Sequence, residues 1–281
     1  MFTLILQASL LNQAVSDHIN YLNTTWKAQI TPKFSNLQKS QAPSQDMFRS
    51  SLPVVNYDDD ITILPEIDWS TKPCINGIYD QMKCDAGQAF AAADLFSMIR
   101  CIAKIDKTII PYSAQDIINC DPEDKGCLRG FMDIVTDYVF ETGLVPETCC
   151  GYVSGISGVK HICSKKCDDD KKITRRLKLS SANQIEGEED MIIALQKGPI
   201  MSGIVIYDDF YYYKEGIYQH VYGDRNGGQT LIVVGYGEEE GVKYWKVKNS
   251  WGEEWGEKGY AKIIRGQMEL HMDIAIEYGA E

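Results

Sequence analysis

The stretch Cys84-Asp85-Ala86-Gly87-Gln88 places a thiol and a carboxylate immediately before a run that reads as a helix, Ala86 to Ile102. A helix N-terminus gathers the positive ends of the peptide dipoles, so a thiolate in its first turn is stabilised and its pKa falls. That is chemistry for a sulfur nucleophile, yet Gly87 occupies the first turn and offers no side chain. Asp85 and Gln88 have capping-box spacing, which predicts Asp85 accepting from the free first-turn amides while Gln88 reaches back. Nucleophilic catalysis also needs a neighbouring base, and the four histidines, His18, His161, His220 and His271, are scattered along the chain. The same scatter, and the lack of one C-x-x-C pair facing another, points away from a zinc site; no metal or cofactor is expected.

The elements that would position such a site follow from the patterning. Phe90, Leu95, Phe96, Met98 and Ile99 put apolar groups on most sides of the 86–102 helix, so it belongs in the interior. Further helices are expected over Ser113 to Asn119, Arg129 to Glu141 and, as a short amphipathic piece stopped by Gly198-Pro199, within EEDMIIALQKGP. From Ile200 onward the pattern turns to strands: IMSGIVIY, QTLIVVGYG, VKYWKVKNS and YAKIIRG. Helices first and strands afterwards predict an α+β architecture of two lobes, without internal repeats. Residues 12 to 29 are compatible with one helix, with Val15, Ile19, Leu22 and Trp26 at helical spacing. The polar stretch from Thr31 to Asp60 reads as extended or loose. The aromatic run within Tyr207 to Gly216 is expected to pack or to form a loop.

A chain of 281 residues with 44% hydrophobic residues can bury a sizeable core. Its net charge of −12 disfavours nucleic acid and anionic membranes as partners. The basic residues of Lys171 to Lys178 follow three aspartates and read as a solvated loop. Nine cysteines, several of them close together, indicate a disulfide framework with one thiol left over and an oxidising compartment. The apolar N-terminus, MFTLILQASLL, has signal-peptide length without a preceding basic residue, and the sequon at Asn23 agrees with export. No later run is long and apolar enough to span a membrane.

Four stretches carry a family resemblance: NTTW with its flanking helix, YDQMKCDAGQAF, the segment from GPIMSGIVIY to LIVVGYG, and YWKVKNSWGEEWGEKGYAKIIRG. Together they resemble the papain-like cysteine proteases, and within them the cathepsin B group. The resemblance implies a papain-like fold with a helical left lobe of about 75–180 and an antiparallel, barrel-like right lobe of about 181–275, inside a domain of 63–281. It also implies a propeptide-like segment of 15–62 behind a possible signal or hydrophobic N-terminus of 1–14.

Carried over residue by residue, the resemblance breaks at the chemistry. Gly87 stands where the family has its nucleophile and Gln229 where it has its base histidine, while Gln81, matching the oxyanion donor, and Asn249, matching the residue that orients the histidine, remain. Trp251 matches the tryptophan that shields the asparagine. A glycine cannot attack a carbonyl, and a glutamine amide does not titrate near neutrality. In the cleft, the glycine-rich turn reads Gly126-Cys127-Leu128-Arg129-Gly130, so Arg129 stands where a substrate backbone would run; the loop between Cys150 and Cys163 is short and lacks paired histidines. The implied disulfides are Cys74 with Cys101, Cys84 with Cys127, Cys120 with Cys163, and Cys167 with Cys149 or Cys150, Cys150 being taken as the partner.

The reading is an inactive cathepsin B-like pseudoprotease serving as a binding or structural module. The alternatives are an active peptidase or hydrolase with a relocated nucleophile, Cys84 or Asp85, and a structural subunit of a larger assembly. The expected partner is its own N-terminal segment in the cleft, or a protein or peptide. The expected location is the secretory pathway, lysosome-like or extracellular, with an intracellular assembly as the alternative.

Overall fold

The computed structural model describes residues 2–34, 52–55, 57, 61–267, 270 and 272–280, with residues 2–10 described by backbone alone. Helix α1 spans Phe2–Tyr21 and is followed by the short strand β1, Trp26–Ala28. The expected single helix over 12 to 29 therefore ends early, and Trp26 lies in a strand. The cause is local: Asn20 grips Ala28 from both sides, its Nδ2 donating to the Ala28 carbonyl at 2.9 Å and its Oδ1 accepting from the Ala28 amide at 2.8 Å. Asn23, the sequon residue, is exposed between them with φ +49°, a left-handed value that asparagine tolerates better than most residues. Most of the 31–60 stretch expected to be loose lies outside the described residues.

After the short strand β2 (Ile67–Asp68) come the helices α2 (Gly87–Ile102), α3 (Ala114–Cys120), α4 (Met132–Glu141) and the single turn α5 (Ser154–Ser157). Then follow β3 (Ser181–Glu186), α6 (Glu188–Leu195), β4 (Ile200–Tyr207), β5 (Tyr213–Tyr218), β6 (Arg225–Glu239), β7 (Val242–Lys248), β8 (Tyr260–Ile264) and β9 (Ile274–Gly279). The sheet order is β1-β5-β8-β7-β6-β4-β9-β3, with β2 paired to β6. The architecture is α+β. Strands β3, β5 and β9 were not among the expected ones: β3 is SANQIE, without apolar alternation, and β5 lies in the aromatic run.

Two cores meet on the long strand β6. Successive side chains of a strand point to opposite faces, so Leu231 and Val233 join a core with Trp26, Phe210 and Trp255, whereas Ile232 and Val234 join the core around α2. Helix α2 is buried along nearly its whole length, from Gly87 to Cys101. The N-terminal segment belongs to the first core: Ile19 and Trp26 are fully buried, and the Trp26 indole donates to the Gln219 carbonyl at 2.9 Å.

The disulfides are Cys74–Cys101, Cys84–Cys127, Cys120–Cys163 and Cys149–Cys167. The fourth corrects the expectation for Cys150, which is free; its carbonyl accepts from the Ser113 hydroxyl at 2.6 Å, while the Cys149 side chain faces Cys167. The basic run 171–178 also needs correction at one residue. Arg176 is drawn inward by the buried Asp116, with which it forms a two-point ion pair, and is no part of a solvated loop. Among the described residues, no helix is long and apolar enough to cross a membrane.

Candidate functional site

Gly87 opens α2 at the seam between the two cores. Its neighbour Ala86 is the N-cap residue and carries no side-chain cap. The expected capping box does not form, because both of its members have tertiary partners. Asp85 is in an ion pair with Arg129 and accepts from Gln81 Nε2 at 3.4 Å. Gln88 donates instead to the buried Asp124, at 3.1 Å.

Gln229 reaches the same spot from β6, where it pairs in register with Ile204. Its amide nitrogen donates to Asn249 Oδ1 at 2.9 Å, with Gln81 Oε1 at 3.2 Å and Ser250 Oγ at 3.4 Å. The Ser250 hydroxyl donates to Gln81 Oε1 at 2.8 Å, and the Ser250 amide to Asn249 Oδ1 at 2.8 Å. All four residues are buried. A Cβ built on Gly87 would lie 2.8 Å from Gln229 Nε2, 2.9 Å from its Oε1 and 3.0 Å from its Cδ. The glutamine amide thus fills the space into which a side chain at 87 would grow.

The rim of the site comes from both sides. On the helical side Arg129 adopts φ +68°, its amide donates to the Asp85 carbonyl at 2.9 Å and its guanidinium holds the Asp85 carboxylate. Gly130 must lack a side chain, since a Cβ there would lie 1.9 Å from Asp124 Oδ1. Burial pushes Asp124 up to about 6, against the Gln88 and Gly126 donors that favour its charged form. On the strand side Trp251 stacks on Tyr211 at 5.1 Å, and burial pushes the Tyr211 phenol up to about 12. Phe34, near the end of the described N-terminal segment, meets Trp251 and Tyr211 at 5.0 and 5.1 Å, and its neighbour Lys33 pairs with Asp80. The N-terminal segment therefore reaches the edge of the site.

The structure brings Gln81, Gly87, Gln229, Asn249 and Trp251 together. Ser250, Tyr211, Phe34 and the Asp85–Arg129 pair also belong to the site; the sequence points to Asp85 and Arg129 one by one but not to their pairing, Ser250 is adjacent to Asn249, and Tyr211 and Phe34 carry no signal as site residues. The other reactive groups lie elsewhere. Cys84 is bonded to Cys127. His220 sits beside Asp209 at 3.2 Å and stacks on Tyr207, and His161 bonds Ser157. His271 lies outside the described residues. Burial pushes the free Cys150 thiol up to about 11. Among the described residues no three His, Cys, Asp or Glu side chains group as metal ligands.

A family model described as papain family cysteine protease matches residues 63–280, and the chain belongs to that family. Within it the chain is cathepsin B-like. It is 33% identical over 265 residues to Cathepsin B-like CP2 of Giardia intestinalis, covering 89% of this chain and 87% of the other. It is 34% identical over 260 residues to Cathepsin B-like CP3 of the same organism, with the same coverage. Among solved structures it is similar to procathepsin B S9 from Trypanosoma congolense, with TM-score 0.86 and 29% identity over 97% of this chain and 99% of that one. It is also similar to the proform of the ragweed pollen cysteine protease Amb a 11, with TM-score 0.83 and 27% identity over 99% and 87% of the two chains.

Proposed function

We propose that this chain is a catalytically inactive cathepsin B-like pseudoprotease, kept as a binding or structural module with its N-terminal segment retained. The observation that carries the reading is the contact between positions 87 and 229: the nucleophile position has no side chain, and a carboxamide occupies the space in front of it. In this reading Gln81 is the remnant of an oxyanion donor and Asn249 that of the histidine-orienting residue. The Gln81 amide is engaged with Asp85, Ser250 and Gln229 rather than presented to an incoming carbonyl. Loss of the whole nucleophilic apparatus from a protease of the serine type costs on the order of 10⁶ in turnover, and a comparable loss is expected here.

A relocated nucleophile finds little support. The Cys84 sulfur is in a disulfide, the Asp85 carboxylate is neutralised by Arg129, and the Cys150 thiol is held well above the range of an activated one. Retention of the N-terminal segment is supported by the burial of Ile19 and Trp26 and by the Phe34 contacts with Trp251 and Tyr211. Four disulfides fit routing through the secretory pathway, to a lysosome-like compartment or outside the cell. The test is turnover of fluorogenic dipeptide and protein substrates by the purified full chain, with and without an epoxide thiol trap. Background rates are expected throughout; turnover abolished by the trap would sink the proposal. N-terminal sequencing of native material tests retention, and a start near Leu64 would contradict it.

A further inference from the structure

Beside the filled site lies a surface of different character. Met82, Leu128, Val153, Ile156, Val159 and Ile162 are all exposed, Leu128 at 78%, Ile156 at 73% and Ile162 at 91%. They come from three chain segments that the fold brings together. The Lys83 amide donates to the Gly155 carbonyl at 3.1 Å, and a Cβ on Gly155 would touch Met82. Leu128 bridges to Asp85 and neighbours the Cys84–Cys127 disulfide. Gly126 packs on the side chain of Lys160. Exposed apolar groups gathered in this way mark interaction sites more often than singly scattered ones do.

The charge around this surface is the reverse of the charge of the chain. Residues 153–165 hold two Lys and no Asp or Glu in a protein of net charge −12. Lys83, Lys125, Lys160 and Lys165 are exposed among and beside the apolar side chains, and none of them forms an ion pair among the described residues. Lys160 donates to the Asp121 carbonyl and lies near the Asp121 and Asp124 carboxylates, so the uncompensated charge is carried by Lys83, Lys125 and Lys165. An apolar surface rimmed by unpaired ammonium groups is complementary to a segment that alternates apolar side chains with carboxylates. It also runs directly into the cleft rim at Leu128-Arg129, so an extended chain could follow it from the loop to the rim.

We propose that the face formed by Met82, Leu128 and residues 153–165 is a docking surface for an acidic, apolar-anchored polypeptide segment. The inference rests on the reading of the chain as a binding module and supplies the chemical class of its partner. A flat anionic bilayer fits less well: it would bring the acidic remainder of the protein near its own surface, whereas a narrow segment meets only the basic face.

The experiment uses the full chain and a fluorescein-labelled dodecapeptide alternating Glu or Asp with Leu, Ile or Phe, read by anisotropy. Two control peptides replace the acids by Lys or the apolar residues by Ser. Vesicles containing phosphatidylserine form a separate arm. The acidic apolar peptide is expected to bind at least tenfold more tightly than either control. Ile156→Ser with Ile162→Ser, and separately Lys83→Glu with Lys165→Glu, are each expected to weaken binding about tenfold. All of these positions are exposed, and an unchanged circular dichroism spectrum confirms folding of the variants. Absence of peptide binding at millimolar concentration, equal binding of the basic peptide, or insensitivity to both double variants would overturn the proposal. Vesicle binding lost in the same variants without peptide binding would assign the face to membranes and overturn it as well. Turnover is scored on the same preparations, so an unexpected protease would be told apart from a failed docking surface.

Discussion

Replacing Gly87 with alanine should destabilise this protein, against the usual trend. Gly87 is the first residue of α2 and is not among the glycines with positive φ, a place where alanine is normally accepted and favoured over glycine by less than about 1 kcal/mol. Here the added Cβ would sit 2.8–3.0 Å from three atoms of the Gln229 amide, well inside normal van der Waals separation. The amide must retreat, and with it the 2.9 Å bond to the buried Asn249. Overpacking costs about 1–3 kcal/mol and a disrupted buried hydrogen bond about 1–3 kcal/mol. Since retreat relieves one at the expense of the other, a net loss of about 1–3 kcal/mol is expected. Gln229→Ala alone should cost about 1–2 kcal/mol, because Asn249 Oδ1 keeps the Ser250 amide and Gln81 Oε1 keeps the Ser250 hydroxyl. In that background the space is open, and Gly87→Ala should become neutral or stabilising. The coupling between the two positions is then about 1–4 kcal/mol. Urea unfolding with disulfides intact, followed by tryptophan fluorescence and far-ultraviolet circular dichroism, measures all four corners of the cycle. Additive effects within about 0.5 kcal/mol, or a stabilising Gly87→Ala in the parent chain, would refute the packing argument.

Other consequences are measurable in the same way. Asp124 is protonated more readily in the folded protein, about 6 against an ordinary 3.8, so its contribution to stability is present at low pH and fades as pH rises through 6; the difference in stability between the parent and Asp124→Asn should change by about 1 kcal/mol between pH 5 and 7, and a constant difference would refute this. Arg129→Gly and Arg129→Ala both remove the ion pair with Asp85, but only glycine suits φ +68°, so the glycine variant should be more stable than the alanine one by about 1 kcal/mol in urea. Trp26→Ala should cost about 3–5 kcal/mol although it lies in the N-terminal segment, because its ring is fully buried with Tyr213 and Tyr218; a loss near zero would mean that the segment is not part of the folded core.

What could be read from the sequence was whatever depends on near neighbours. Helix α2 announced itself because apolar residues surround its axis, and β4 because its apolar run is bounded by Gly198-Pro199 and the aspartates at 208 and 209. What could not be read depends on partners distant in the chain. The capping box gave way to Arg129, 44 residues on, and to Asp124, 36 residues on. The end of α1 turned on a side chain eight residues from its backbone partner. Cys149 and Cys150 differ only in the direction their side chains take, which spacing does not encode. At the site, the identities at 81, 87, 229, 249 and 251 could be read off by resemblance; the occupation of the space beside Gly87 by Gln229 required coordinates.

Gly87 and Gln229 are coupled by the space they share. Gln229 presents an N–H to Asn249 Oδ1 and so keeps a buried hydrogen bond between β6 and the segment following β7, without a proton to exchange. Its amide needs room, and the room comes from Gly87, where any side chain would collide with it. Gln81, from the loop before α2, and Ser250, next to Asn249, close the same network, so these residues have a structural task that does not depend on chemistry. Retention of Asn249 and Gln81 is therefore no argument for activity. A carboxamide cluster that ties two cores together accounts for their presence.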